Sequence, residues 1–273
     1  MPRRKTNTKP SFVSRFVKFS LLFLLLSILL AWLYQNRLAI AYYFSFQSKH
    51  TKQSFQKEVE DARVYQLIKK HPNSLLGIDV SEYQGKIDWK EVDSIDQKAI
   101  HFVLVRATAG KDRNDLTFQE NWKALTTKKI IRGAYHYYRP NENSLEQANL
   151  FIRTVRLKKG DLPPVLDIEN LPKTQSLDSL KKGLQRWLER VEKHYGIQPI
   201  IYTGEKYYQD FLKKDFPNYT FWIANYNGWV QDFPENATFW QFTEKGSVKG
   251  IRGNVDVNLY NGTPRMLLYQ TIR

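Results

Sequence analysis

The chain of 273 residues contains no cysteine. That absence excludes disulfides, thiolate metal ligands and a cysteine nucleophile, and it leaves no redox mark of a compartment. The five histidines are not clustered, so neither a metal site nor a cofactor is expected from them. Acidic residues are missing altogether from residues 1–57. What is present is a composition 42% hydrophobic and 14% aromatic, too apolar for a chain that cannot form a core. The net charge of +15 predicts attraction to a polyanion: nucleic acid, an anionic membrane surface or an anionic cell-wall polymer.

The acid-free start divides into two parts. Arg3, Arg4, Lys5, Lys9, Arg15 and Lys18 precede an uncharged block, FSLLFLLLSILLAWLY, over residues 19–34. A bilayer core needs about 20 apolar residues; Phe16 and Val17 extend the block across Lys18, whose stem can snorkel. Trp32 and Tyr34 suit the far interface. The expectation is a basic cytoplasmic tail (1–18), a single-pass transmembrane signal anchor (19–38), and everything beyond it outside the cell membrane. Secretion after cleavage near Ala41 is the alternative, because Ala39-Ile40-Ala41 is a small-x-small site. Residues 39–74 then read as a helical spacer, with Phe55, Val59, Ala62, Tyr65, Leu67 and Ile68 at helical spacing; its apolar face either packs on the following domain or holds that domain off the membrane.

From residue 75 onward, short apolar runs alternate with amphipathic ones. Strands are expected at 75–80, 101–108, 131–139, 164–169, 199–203, 221–226, 238–243 and 254–260. Helices are expected at 88–98, 116–129, 144–156, 177–195 and 206–213. The gaps between the last three strands are too short and too rich in Gly, Pro and Asn for crossover helices, so hairpins are expected there. This is an α/β pattern, an irregular TIM-like (β/α) barrel of about five βα units followed by three strands, filling residues 75–273.

Active sites on such barrels gather at the C-terminal ends of strands, and carboxylates recur there. Asp79 ends the first strand, Asp167 and Glu169 share one face of the fourth, and Asp256 lies in the last, which neighbours the first once the barrel closes. A lone D-x-E caps turns as readily as it catalyses; four acids at one mouth point to chemistry. His136, between tyrosines in a strand, reads as a packed, hydrogen-bonded histidine or a groove wall.

GIDVSEYQGKIDW (residues 77–89), FVLVRATAG (102–110), RGAYHYYRP (132–140), PPVLDIE (163–169), FWIANY (221–226) and FWQFTEKGSVKGIRGNVDVNLYNG (239–262) together resemble the glycoside hydrolase family 25 lysozymes, the N-acetylmuramidases of bacteria, fungi and phage. The resemblance implies an irregular (β/α) barrel that hydrolyses the β-1,4 bond between N-acetylmuramic acid and N-acetylglucosamine in peptidoglycan. By motif it implies Asp79, Asp167, Glu169 and Asp256 as the acidic cluster, with Glu169 as proton donor. It places Tyr83, Tyr135, Tyr137, Trp222, Tyr226, Trp240 and Gln241 along the sugar groove. One departure is Ala109, where many relatives carry an acid; it reads as a change of groove polarity.

Glycosidic cleavage needs an acid for the departing oxygen and negative charge near an oxocarbenium-like centre. Asp167 and Asp79 beside Glu169 are expected to raise its pKa. Asp167 is expected to orient the substrate's own 2-acetamido group in a retaining, substrate-assisted reaction, with direct attack by an aspartate as the other route. The rival classes are a chitinase-like glycosidase and a non-catalytic or weakly active wall-glycan binder. Nucleic acid is not an expected partner, since the basic excess is largely N-terminal and no nucleic-acid motif appears.

Overall fold

The computed structural model describes residues 12–47 and 53–273. The chain forms two compact units, Met1–Val59 and Glu60–Arg273. In the first, helix α1 spans Phe12–Gln35 and α2 spans Arg37–Gln47. Residues 17–35 average a hydropathy of 2.2 with none of the stretch buried, so this is a helix long and apolar enough to cross a membrane. The break between the helices falls at Asn36, whose Nδ2 donates to Trp32 O at 2.8 Å. The basic residues Arg3, Arg4, Lys5 and Lys9 lie outside the described residues.

Helix α3 spans Gln53–Lys70, and its half from Glu60 onward belongs to the second unit. The compact unit therefore starts at Glu60 rather than Leu75. There, Val64, Leu67 and Ile68 join the same apolar cluster as the barrel's outer layer.

The barrel has eight strands: β1 (Leu75–Val80), β2 (Lys98–Ala109), β3 (Ile131–Tyr137), β4 (Val165–Asp167), β5 (Ile200–Gly204), β6 (Phe221–Ala224), β7 (Ala237–Gly246) and β8 (Val255–Tyr260). They pair in sequence from β1 to β8, and β8 returns to β1 to close the ring. All neighbours are parallel except β7–β8 and β8–β1. Strands covered on both faces need apolar residues throughout, which is why they read as continuous runs. Within β2, Phe102 and Leu104 fill the barrel interior while Val103, Val105 and Ala107 face outward.

Crossover helices α4 (Phe118–Leu125), α5 (Ser144–Thr154) and α6 (Leu177–Tyr195) lie where expected. Helix α7 (Glu205–Tyr207) runs on into a π turn over Tyr208–Leu212. Two expectations need correction. Residues 88–98 are not a helix: Asp96 and Gln97 both have positive φ, 47° and 66°, and turn the chain between the paired segments Ser94–Ile95 and Lys98–Ala99. The β6–β7 link is not a hairpin, because the two strands are parallel and residues 225–236 cross over without a helix; only β7–β8 turns back directly. A terminal helix, α8 (Pro264–Gln270), lies outside the expected helices; its Leu267 joins the barrel-interior cluster with Leu75, Phe102 and Tyr260.

Candidate active site

Parallel strands bring their C-terminal ends to one rim, and at this rim a cleft of about 240 Å³ opens. Asp79 of β1 and Asp256 of β8 are direct register partners. Like charges directly opposite repel, so this pairing requires a proton or strong hydrogen bonds. Both are in evidence. Asp79 Oδ2 accepts from Gln241 Nε2 at 2.7 Å and from Asn258 Nδ2 at 2.8 Å. Burial nevertheless lifts the Asp79 carboxyl to about 6, against those two hydrogen bonds. Burial, and then the charge of Asp79, lifts Asp256 to about 9. The two carboxyls titrate as a pair that shares one proton at neutral pH.

Asp167 closes β4, in register with Tyr137 on one side and Tyr202 on the other. Ile168 still pairs, its N–H donating to Tyr202 O at 3.0 Å, and Glu169 follows at the open rim. Asp167 is buried, and its Oδ1 has no hydrogen-bond partner among the described residues. Burial and then the charge of Glu169 hold the Asp167 carboxyl well above its ordinary value. Glu169 is also raised, by its walled position first; the hydrogen bond from Asp167 holds it down, and Glu244 is the carboxylate that pushes it up. The cause expected from sequence, Asp167 and Asp79, is replaced by confinement and Glu244.

Of the expected groove residues, Tyr83, Tyr135, Tyr137, Trp222, Tyr226 and Gln241 line this cleft. Tyr83 is exposed at its edge, with the Arg106 guanidinium 4.7 Å from its ring centre. Trp222 is buried, with Nε1 donating to Asn258 Oδ1 at 2.7 Å. Gln241 Oε1 accepts from the hydroxyls of Tyr202, at 2.7 Å, and Tyr226. Trp240 is not in the cleft. It points outward from β7, fully buried, 6.1 Å from the His71 ring and 5.6 Å from Phe233. Ala109 is buried at the end of β2 and does not line the cleft.

Sequence reasoning missed Arg106, Tyr202, Glu244 and Asn258. Arg106 ion-pairs with Asp115 at 2.9 Å and Glu82 at 3.0 Å, fixing a cation in a cleft otherwise lined by acids. Alternation offered a signal for two of them: Arg106 follows inward Phe102 and Leu104, and Asn258 follows Asp256 at the two-residue period. His136 proves to be packed and hydrogen-bonded. Its Nδ1 accepts from Thr108 Oγ1 at 2.7 Å, and Nε2 donates to Gln147 Oε1 at 3.0 Å. That tautomer is fixed because Gln147 Nε2 donates to Arg139 O and Glu142 O, leaving Oε1 toward the ring. Burial lowers its pKa to about 4.

The cleft thus offers raised carboxyls able to give a proton, a buried carboxyl oxygen with no hydrogen-bond partner among the described residues, and aromatic walls. The sequence profile of glycosyl hydrolases family 25 matches residues 78–251. The chain is 40% identical to the uncharacterized protein YegX of Escherichia coli O6:H1 (strain CFT073) over 193 residues, 68% of this chain and 70% of that one. It is 32% identical to Lysozyme M1 of Streptomyces globisporus over 210 residues, 70% and 69% of the two chains. Its fold matches the structure of a family 25 glycosyl hydrolase from Bacillus anthracis with a TM-score of 0.66 and 28% identity, covering 73% of this chain and 94% of that one. A closed eight-stranded barrel, four acids around its mouth and these likenesses lead to one conclusion: the chain belongs to glycosyl hydrolase family 25.

Proposed function

We propose that the protein is a muramidase that cleaves the β-1,4 bond between N-acetylmuramic acid and N-acetylglucosamine in peptidoglycan. The observation that carries this reading is the Asp167–Glu169 pair: a buried aspartate with an unpartnered Oδ1 beside a raised, solvent-reachable glutamate. The proton that Asp167 and Glu169 share in their hydrogen bond passes to Glu169, which gives it to the glycosidic oxygen as the bond to the anomeric carbon breaks and leaves Asp167 ionised. The 2-acetamido oxygen of the same sugar closes on that carbon, while Asp167 Oδ1 accepts the acetamido N–H and holds the group in line. Water, deprotonated by Glu169, then opens the cyclic intermediate with net retention. The Asp79–Asp256 pair, with one negative charge between its two carboxyls, adds negative potential behind the positive centre, and Tyr83 and Tyr137 offer stacking faces for sugar rings.

Glu169→Gln should abolish release of reducing ends from purified peptidoglycan while glycan binding persists. Undiminished lysis by that variant removes Glu169 from the mechanism. Inversion at the anomeric carbon, or a trapped sugar ester on an aspartate, rules out the substrate-assisted route. Equal cleavage of chitin would move the reading to a chitinase-like enzyme.

We further propose that residues 19–38 anchor the chain in the cell membrane with residues 1–18 inside and the catalytic unit from Glu60 outside, acting on the adjacent wall. The apolar α1 and its one-sided basic flank support this topology. A mature amino terminus at Tyr42, read by mass spectrometry, would contradict the anchor in favour of cleavage near Ala41.

A further inference from the structure

Strand β7 departs from regular pairing beside the site. Val257 of β8 pairs with Thr243 and the next residue, Asn258, with Gln241, so Phe242 is an extra residue with no partner opposite. A bulge of this kind interrupts the in–out alternation of side chains. Trp240 and Phe242 point outward and Gln241 points to Asp79, but Thr243 also turns outward and Glu244 enters the cleft. Glu244 therefore owes its direction to the bulge, and Gln241, the last residue of the regular alternation, sits directly before it.

Two buried residues of α3 grip the bulge from behind. Arg63 Nη1 donates to Phe242 O at 2.7 Å, and Glu60 Oε1 accepts from the Thr243 hydroxyl. The two side chains form an ion pair at 3.5 Å. Arg63 Nη2 also reaches Asn227 O at 3.4 Å, on the crossover that carries Tyr226. Docking the helix does not need them, since Val64, Leu67 and Ile68 already supply an apolar face. Buried ion pairs stabilise little compared with well-packed apolar replacements. Their use here is geometric: one caps the carbonyl of the extra residue, the other holds the flipped threonine.

We propose that Glu60 and Arg63 are positioning residues for the reaction, setting the β7 bulge so that Gln241 stays on Asp79 and Glu244 stays beside Glu169. The proposal rests on the muramidase reading for its kinetic arm alone. The membrane-proximal helix is thereby a working part of the catalytic unit, although it lies outside the residues matched by the family profile.

The test uses the full chain with Arg63→Met, Arg63→Lys and, as a control, Leu67→Ala, which weakens the same helix without touching the bulge. On peptidoglycan, with rates corrected for folded protein, Arg63→Met should lower kcat about tenfold or more with KM within about twofold, and Arg63→Lys should recover part of the loss. Leu67→Ala should lower the melting temperature at least as far while leaving kcat in place. A crystal structure of Arg63→Met should show Gln241 Nε2 withdrawn from Asp79 Oδ2, 2.7 Å away in the wild type. Wild-type kcat in Arg63→Met, or an equal kcat loss in Leu67→Ala, overturns the proposal. Should the wild type fail to cleave peptidoglycan, the functional reading falls and the crystal structure alone decides: an unmoved Gln241 then refutes the positioning role.

Discussion

Replacing Asp79 by Asn should make the protein more stable at neutral pH and barely change it in acid. The Asp79 carboxyl has an ordinary value of 3.8 and stands at about 6 in the fold, chiefly because it is buried. The native state thus holds this proton more tightly than the unfolded chain does. The stabilisation from protonation is complete below about pH 4 and is lost as pH rises through about 6. Each pH unit across that window is about 1.4 kcal/mol, so the ionised aspartate costs about 3 kcal/mol at pH 7. An asparagine retains an oxygen to accept from Gln241 and Asn258, and it offers an N–H toward Asp256 where the wild type presents charge. Its removal of that charge also relieves Asp256, whose second-largest upward push comes from Asp79. Urea unfolding followed by tryptophan fluorescence at pH 4, 5, 6 and 7 should give similar stabilities at pH 4 and a gap of about 3 kcal/mol at pH 7, with the variant higher and its activity lower. Parallel stability curves for the two proteins across this range would refute the assignment of a raised carboxyl to Asp79.

Two further substitutions probe the barrel wall. Trp240→Ala should cost about 3–5 kcal/mol of stability, the range for deleting a large buried aromatic, with glycan affinity of the folded fraction unchanged; loss of affinity at full stability would return Trp240 to the groove. Gly77→Ala should destabilise by about 1–3 kcal/mol, because a Cβ there would stand 2.3 Å from Phe102 Cε2 inside the barrel. A thermal melt matching the wild type would mean that the interior is looser than its packing shows.

The strands were legible because a parallel barrel demands apolar residues on both faces, and runs such as HFVLVRAT have no other economical reading. The acids were legible because strand ends on one rim converge. What escaped detection depended on register. Trp222 and Trp240 are both tryptophans preceded by phenylalanine on neighbouring strands, yet Trp222 faces in and Trp240 faces out. Nothing local distinguishes them; the register between β6 and β7 does, and it shifts after Phe221. The segment 88–98 carried charge and apolar spacing compatible with a helix, and two positive φ angles at Asp96 and Gln97, common only in turns, decided otherwise. Glu60 and Arg63 lie about 180 residues from Phe242 and Thr243, a separation over which a single sequence gives no pairing signal.

The pairing of the first barrel strand with the last also bears on when the acid cluster can first form. Asp79 meets Asp256 only when β8 zips onto β1, after every intervening element has been synthesised. Closing so long a loop is slow and comes late in folding. A nascent chain, or one truncated anywhere before residue 255, lacks Asp256 and one side of the ring. Vectorial synthesis therefore delays assembly of the acid cluster until the last barrel strand has emerged, so that the order of the strands itself sets when the site is complete.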